Sequence, residues 1–144
     1  MKKSIKPSLK RWNRLIKQQD EFYHKWSKKC GLADAQFWVL YALCETENSL
    51  CQNNFCETWC YSKQTVNSAV KTLIKNELIT LDFVDGSRKQ KALKLTEKGE
   101  QFCDLHVRTL QKIEEDVIES LNEQEREVFL KLYARLLNGL SASL

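Results

Sequence analysis

The strongest constraint on this chain is a change of apolar period near residue 78. Between residues 62 and 76, Val66, Ala69, Val70, Leu73 and Ile74 recur at steps of three and four, the spacing of one helix face. The opposite face is Lys63, Gln64, Asn67, Ser68, Lys71 and Lys75, with no acid among them. Ser62 stands before the run as an N-cap. After Leu78 the period drops to 2. Ile79, Leu81 and Phe83 alternate with Thr80 and Asp82, and Leu93 and Leu95 alternate with Ala92, Lys94 and Thr96. Asp85-Gly86-Ser87 between them is turn chemistry. The stretch predicts a two-faced helix followed by a β-hairpin whose loop carries Arg88, Lys89 and Lys91.

Helical periods fill most of the remaining sequence. Residues 8–29 place Leu9, Trp12, Leu15/Ile16, Phe22/Tyr23 and Trp26 on one stripe, with Pro7 at the start and Gly31 as a stop. Asp34 reads as the N-cap of a helix over 35–46 with Phe37, Leu40, Tyr41 and Cys44 on one face, ended by Asn48-Ser49. A shorter helix over 52–59 carries Phe55, Cys56 and Trp59. One long helix is expected over 97–120. Asn122-Glu123-Gln124-Glu125 then forms a capping box for a last helix carrying Val128/Phe129, Leu132/Tyr133, Leu136/Leu137 and Leu140. One Pro and four Gly in 144 residues suit this helical reading. No internal repeat or long linker divides the chain, so a single domain over 1–144 is expected, mainly α with a small β-hairpin.

Net charge is +4, unevenly spread. Residues 1–31 carry +8, residues 62–94 carry +4 and residues 95–127 carry −6. Two basic stretches in a neutral-to-acidic chain point to an anionic partner, against the plainer reading of a solvated charged face. No apolar run approaches the ~20 residues of a membrane span. The basic start is followed by no apolar signal core. The expectation is a cytoplasmic protein with no membrane contact. In that compartment Cys30, Cys44, Cys51, Cys56, Cys60 and Cys103 are reduced thiols, not a disulfide framework.

Three short helices followed by a basic hairpin is the order of a winged helix-turn-helix. A B-DNA major groove is about 12 Å wide and admits one helix. Such a helix needs an apolar back and a polar, acid-free front, the division found over 62–76. Its N-terminus offers free backbone N–H groups to a phosphate. The hairpin would present cations to a flanking minor groove or backbone.

Residues 50–99 resemble the DNA-binding core of the MarR (multiple antibiotic resistance regulator) family of bacterial transcription regulators. The resemblance rests on Phe55-Cys56-Glu57, Ser62-Lys63-Gln64-Thr65-Val66, Leu73-Ile74-Lys75-Asn76-Glu77-Leu78-Ile79 and Leu95-Thr96-Glu97-Lys98-Gly99. It extends more weakly to the whole chain. It implies a core over 34–96 flanked by dimerisation helices over 8–31 and 97–144. It also implies a homodimeric repressor that binds a pseudo-palindromic operator and is released by a small aromatic effector. DNA would then be met by Ser62, Lys63, Gln64, Thr65, Asn67, Ser68, Lys71, Arg88, Lys89 and Lys91. An effector pocket would draw on His24, Trp38, Tyr41 and Phe102. The family's wing reads Asp-x-Arg where this chain has Ser87-Arg88-Lys89, and Lys lacks Arg's bidentate fork. Glu77 stands where the family has Gly, so Asn76 or Glu77 must take the left-handed conformation.

Other readings rank lower. Cys51, Cys56 and Cys60 lack the paired spacing of a zinc site, so neither a metal nor another cofactor is expected. The hydroperoxide-sensing members of the family use a Cys early in the first long helix, and residues 8–29 hold none. Thiol sensing by another Cys, or a winged helix that binds protein, are the alternatives. No nucleophile elbow, phosphate loop or metal-hydrolase motif appears, and a Cys103–His106 dyad has no orienting partner, so no enzyme is expected.

Overall fold

The computed structural model describes residues 2–46, 49–84, 86 and 90–144. Contacts cluster into two compact units, Met1–Val107 and Arg108–Leu144. The first runs α1 (Lys6–Lys29), α2 (Asp34–Glu45), β1 (Leu50–Cys51), α3 (Gln52–Trp59), α4 (Lys63–Lys75), β2 (Ile79–Phe83), β3 (Lys91–Leu95) and α5 (Glu97–His106). The second holds α6 (Arg108–Glu119) and α7 (Glu123–Ser141). The chain is thus mainly helical with a small antiparallel sheet, a winged helix-turn-helix.

The three strands lie in the order β1-β3-β2. The hairpin register pairs Ile79 with Leu95, Leu81 with Leu93 and Phe83 with Lys91, while Leu50 and Cys51 pair with Leu93 and Ala92 on the other edge. Under this sheet, α2, α3 and α4 bury Phe37, Leu40, Phe55, Val66 and Leu73 against Ile79 and Leu93. Each such side chain contributes about 1.5–3 kcal/mol on leaving water. Trp38 stacks on Trp59 at 5.1 Å between ring centres, and Phe55 lies parallel to Tyr61 at 6.0 Å. These contacts seat α3 on α2 and fix where α4 starts.

Two helices end in the same hydrogen-bond pattern, with different residues at its critical position. After α1, Leu32 N–H donates to the Ser27 carbonyl and Gly31 N–H to the Lys28 carbonyl, both at 3.0 Å, with Gly31 at φ +78°. After α4, Leu78 N–H donates to the Leu73 carbonyl at 3.0 Å and Glu77 N–H to the Ile74 carbonyl at 2.9 Å. Both are Schellman caps. The second puts Glu77, not Asn76, at φ +61°. A side chain there costs about 1 kcal/mol relative to Gly.

The Thr96-Glu97-Lys98-Gly99 run anchors that cap. Thr96 Oγ1 accepts from Gly99 N–H at 2.9 Å and donates to the Glu77 carbonyl at 2.5 Å. Lys98 Nζ donates to the Asn76 carbonyl at 3.0 Å. A Cβ on Gly99 would fall 2.0 Å from the Leu78 carbonyl oxygen, so only Gly lets α5 pack this closely. The run therefore fixes the far end of α4 relative to the hairpin.

Several local expectations need correction. Asp34 is the first residue of α2 and not its N-cap. Ala33 holds the cap position in extended conformation, and its N–H donates to Gln36 Oε1 at 3.0 Å. The Asp34 carboxylate instead accepts from the buried Ser27 hydroxyl at 2.7 Å and lies 3.1 Å from His24 Nδ1, tying α1 to α2. The helix expected over 97–120 is interrupted at Val107, a fully buried residue with φ −100° and ψ −54°. Phe102/Cys103, His106, Leu110 and Ile113 keep one helical period through that point, so the sequence carries no trace of the break. β1 was not expected, because two residues show no alternation. The capping box at Asn122 and Glu125 is present, with bonds of 2.8 and 2.9 Å.

Candidate nucleic-acid interface

The front of α4 is built as its pattern requires. Val66, Ala69, Val70 and Leu73 are buried, while Lys63, Gln64, Thr65, Asn67, Ser68 and Lys71 are exposed. Ser62 Oγ accepts from Thr65 N–H at 3.1 Å and lies 2.8 Å from Thr65 Oγ1. This cap holds the first turn in shape. Gln64, Ser68 and Lys71 follow one another along the exposed face at helical spacing.

Lys63 and Asn67 share a cleft of about 200 Å³ with Gln52 and Asn53, Cys56 and Lys91. This cleft joins the start of α3, the front of α4 and the base of the hairpin. Two cations and three amide side chains line it, a set suited to phosphate oxygens and base edges. Lys91 is the hairpin cation that the structure brings to this surface. Arg88 and Lys89 lie outside the described residues, as do Asp85 and Ser87.

Gln52 and Asn53 were absent from the expected site. Gln52 is 8% exposed, and its Nε2 donates to Asn67 Oδ1 at 2.5 Å. The sequence signal was the run Gln52-Asn53-Asn54, three amides opening a helix whose apolar residues, Phe55, Cys56 and Trp59, read as core.

The four residues assigned to an effector pocket fall into three local groups. His24 lies against Asp34, Trp38 meets Tyr41 at 5.1 Å between ring centres, and Phe102 meets His106 at 4.5 Å. The His106 carbonyl also accepts from Trp26 Nε1 at 2.9 Å, fastening α1 to α5.

The thiols are unevenly placed. Cys56 and Cys103 are buried and Cys60 is exposed, at a left-handed turn closing α3. Burial pushes the Cys56 thiol above its usual range, with nearby Lys63 a smaller opposing effect. Burial raises Cys30 likewise, opposed by Lys29. Among the described residues, no cluster of His, Cys, Asp and Glu is placed to hold a metal. No described helix is long and apolar enough to cross a membrane.

No protein-family model matches the chain, and no curated protein matches it. Solved structures do. A MarR family regulator from Neisseria meningitidis is 25% identical, with a TM-score of 0.78 over 94% of this chain and 95% of that one. A putative MarR family transcriptional regulator from Listeria monocytogenes, complexed with 26mer DNA, is 23% identical, with a TM-score of 0.72 over 99% of this chain and 92% of that one. The MepR–DNA complex of S. aureus gives 19% identity and a TM-score of 0.71 over 90% and 97%.

Proposed function

We propose that this chain, which has the fold of the MarR family regulators along nearly its whole length, is a sequence-specific double-stranded DNA-binding transcription regulator. The observation that carries this reading is α4, a helix with a fully apolar back and an exposed, acid-free front of amides, hydroxyls and lysines. A surface without acids suits a polyanion, and its amides suit base edges. The two similar proteins solved with DNA support the same reading.

Within this reading Gln64, Asn67 and Ser68 face bases, while Lys63, Lys71 and Lys91 meet phosphates. Ser62 and Thr65 present the helix N-terminus to the backbone. Arg88 and Lys89 extend the contact from the wing. The chain works in the cytoplasm as one domain over 1–144, with no catalytic chemistry and no cofactor. It acts as a homodimer through helices within 8–31 and 97–144, on a pseudo-palindromic operator. It is a repressor, and a small aromatic effector seated near His24, Trp38, Tyr41 and Phe102 releases it. Burial raises the Cys56 and Cys30 thiols, which argues against these two as redox switches, because the thiolate is the reactive form.

Selection of binding sites from random duplex DNA tests the proposal. The expected outcome is a motif of two inverted half-sites whose centres lie about one or two helical turns apart. Recovery of unenriched sequence would overturn it.

A further inference from the structure

We propose that Gln52, buried behind the recognition surface, decides which base Asn67 reads, by holding the Asn67 carbonyl and leaving only its NH2 for DNA. This rests on the DNA-binding reading above and assigns one residue's specificity within it.

An unrestrained Asn presents both its oxygen and its NH2 to adenine, accepting from N6 and donating to N7. Here the amide is not free. Asn67 Oδ1 is held by Gln52 Nε2 at 2.5 Å, so its oxygen points back toward α3. The amide oxygen and nitrogen diverge from one carbon. With the oxygen turned inward, the NH2 turns outward and the bidentate edge is lost. Gln52 cannot easily swing away, being 8% exposed at the start of α3. Its own Oε1 is buried and has no hydrogen-bond partner among the described residues. The pair thus spends one buried acceptor to fix one exposed donor. A lone outward NH2 fits a base edge that offers acceptors only. Guanine presents two adjacent acceptors, O6 and N7, where thymine offers O4 alone beside its methyl group and adenine places its N6 donor beside N7. The position read by Asn67 should therefore favour guanine over adenine.

Replacing the donor by an acceptor should reverse the choice. In Gln52→Glu the carboxylate accepts from Asn67 Nδ2 and turns Oδ1 outward, with Lys63 and Lys91 lining the same cleft as the new charge. Gln52→Met keeps the volume and removes the restraint.

The test is site selection from random duplexes with the full-length protein and four variants: Asn67→Ala, Gln52→Glu, Gln52→Met and Asn67→Ala/Gln52→Glu. Asn67→Ala marks the read position as the one whose preference disappears. At that position the parent should prefer guanine. Gln52→Glu should shift it about tenfold toward cytosine or adenine, and Gln52→Met toward adenine. The double variant should show no preference there. A parent motif that Gln52→Glu and Gln52→Met leave unchanged overturns the role of Gln52 while leaving the DNA-binding reading intact. A parent that selects no motif overturns both.

A second measurement needs no variant and no DNA. In nuclear magnetic resonance spectra of the parent, the Gln52 side-chain amide protons should exchange slowly and those of Asn67 at the rate of exposed groups. Protected Asn67 protons with fast Gln52 exchange would reverse the assigned orientation and overturn the proposal.

Discussion

Glu77, like Cys60, departs from local backbone preference. It occupies a left-handed position, φ +61°, that the equivalent cap of α1 fills with Gly31. Glu77→Gly should therefore stabilise the fold by about 0.5–1 kcal/mol, the relief of strain less the extra freedom of the unfolded chain. Urea unfolding monitored by tryptophan fluorescence measures it, and a loss of stability would show that the Glu77 side chain contributes more than its backbone costs. The sequence left Asn76 and Glu77 as candidates, and the local preference of Asn for the left-handed region does not decide the outcome. The choice comes from Thr96 and Lys98, whose bonds to the Glu77 and Asn76 carbonyls arrive from about twenty residues away. The thiols give a second prediction. Cys60 should alkylate first in the native protein, with Cys56 and Cys103 protected until unfolding, and peroxide should leave DNA affinity unchanged. Rapid native labelling of Cys56 by iodoacetamide would contradict this. The raised Cys56 thiol also sets a sign. Above the ordinary thiol value of 9.0 the unfolded chain releases this proton while the native protein keeps it. The contribution to stability is therefore complete below that pH and lost as pH rises through the higher native value. Cys56→Ala should flatten that alkaline decline in unfolding midpoint.

At the scale of elements, α4 separates two kinds of work along one helix. Gln64→Ala should cost about 1–3 kcal/mol on the preferred duplex and little on random DNA. Lys71→Ala should weaken both alike and make the salt slope shallower by about 1 per phosphate contact, or about 2 in a symmetric dimer. Affinities at several salt concentrations distinguish them. Equal losses on both duplexes for Gln64→Ala, with changed sequence preference for Lys71→Ala, would invert the assignment. The two faces of α4 were legible because 13 residues give several turns of one period. The strands β2 and β3 were legible for the same reason at period 2. β1 was not, having only Leu50 and Cys51, and its place is set by the distant partners Leu93 and Ala92. Asp34 was misread because an Asp before an apolar run usually caps, whereas here Ser27 and His24 from α1 claim its carboxylate. Gln52 was missed because its partner, Asn67, lies fifteen residues on and in another helix.

At the scale of the molecule, each unit carries large apolar side chains at its own surface. Leu9, Leu15 and Phe22 on α1 are exposed, and α7 has no buried residue although it carries Phe129, Leu132, Leu136 and Leu140. Patches of this kind mark interaction surfaces. A two-fold dimer should bury more than ~2,000 Å² of mainly apolar surface between them. Light scattering at micromolar concentration should give twice the 16.9 kDa chain mass, and a stable monomer would contradict it. The long stripes were readable in the sequence, but whether they met their own core or a second chain was not, since periodicity is the same for both. Sequence-specific DNA binding is open to one titration. Fluorescence anisotropy would compare the duplex recovered by selection with a scrambled duplex of equal length and composition at physiological salt. Binding should be at least ~10³-fold tighter to the selected duplex, with two chains per site. Equal affinity for the two duplexes, or binding to neither, would contradict it.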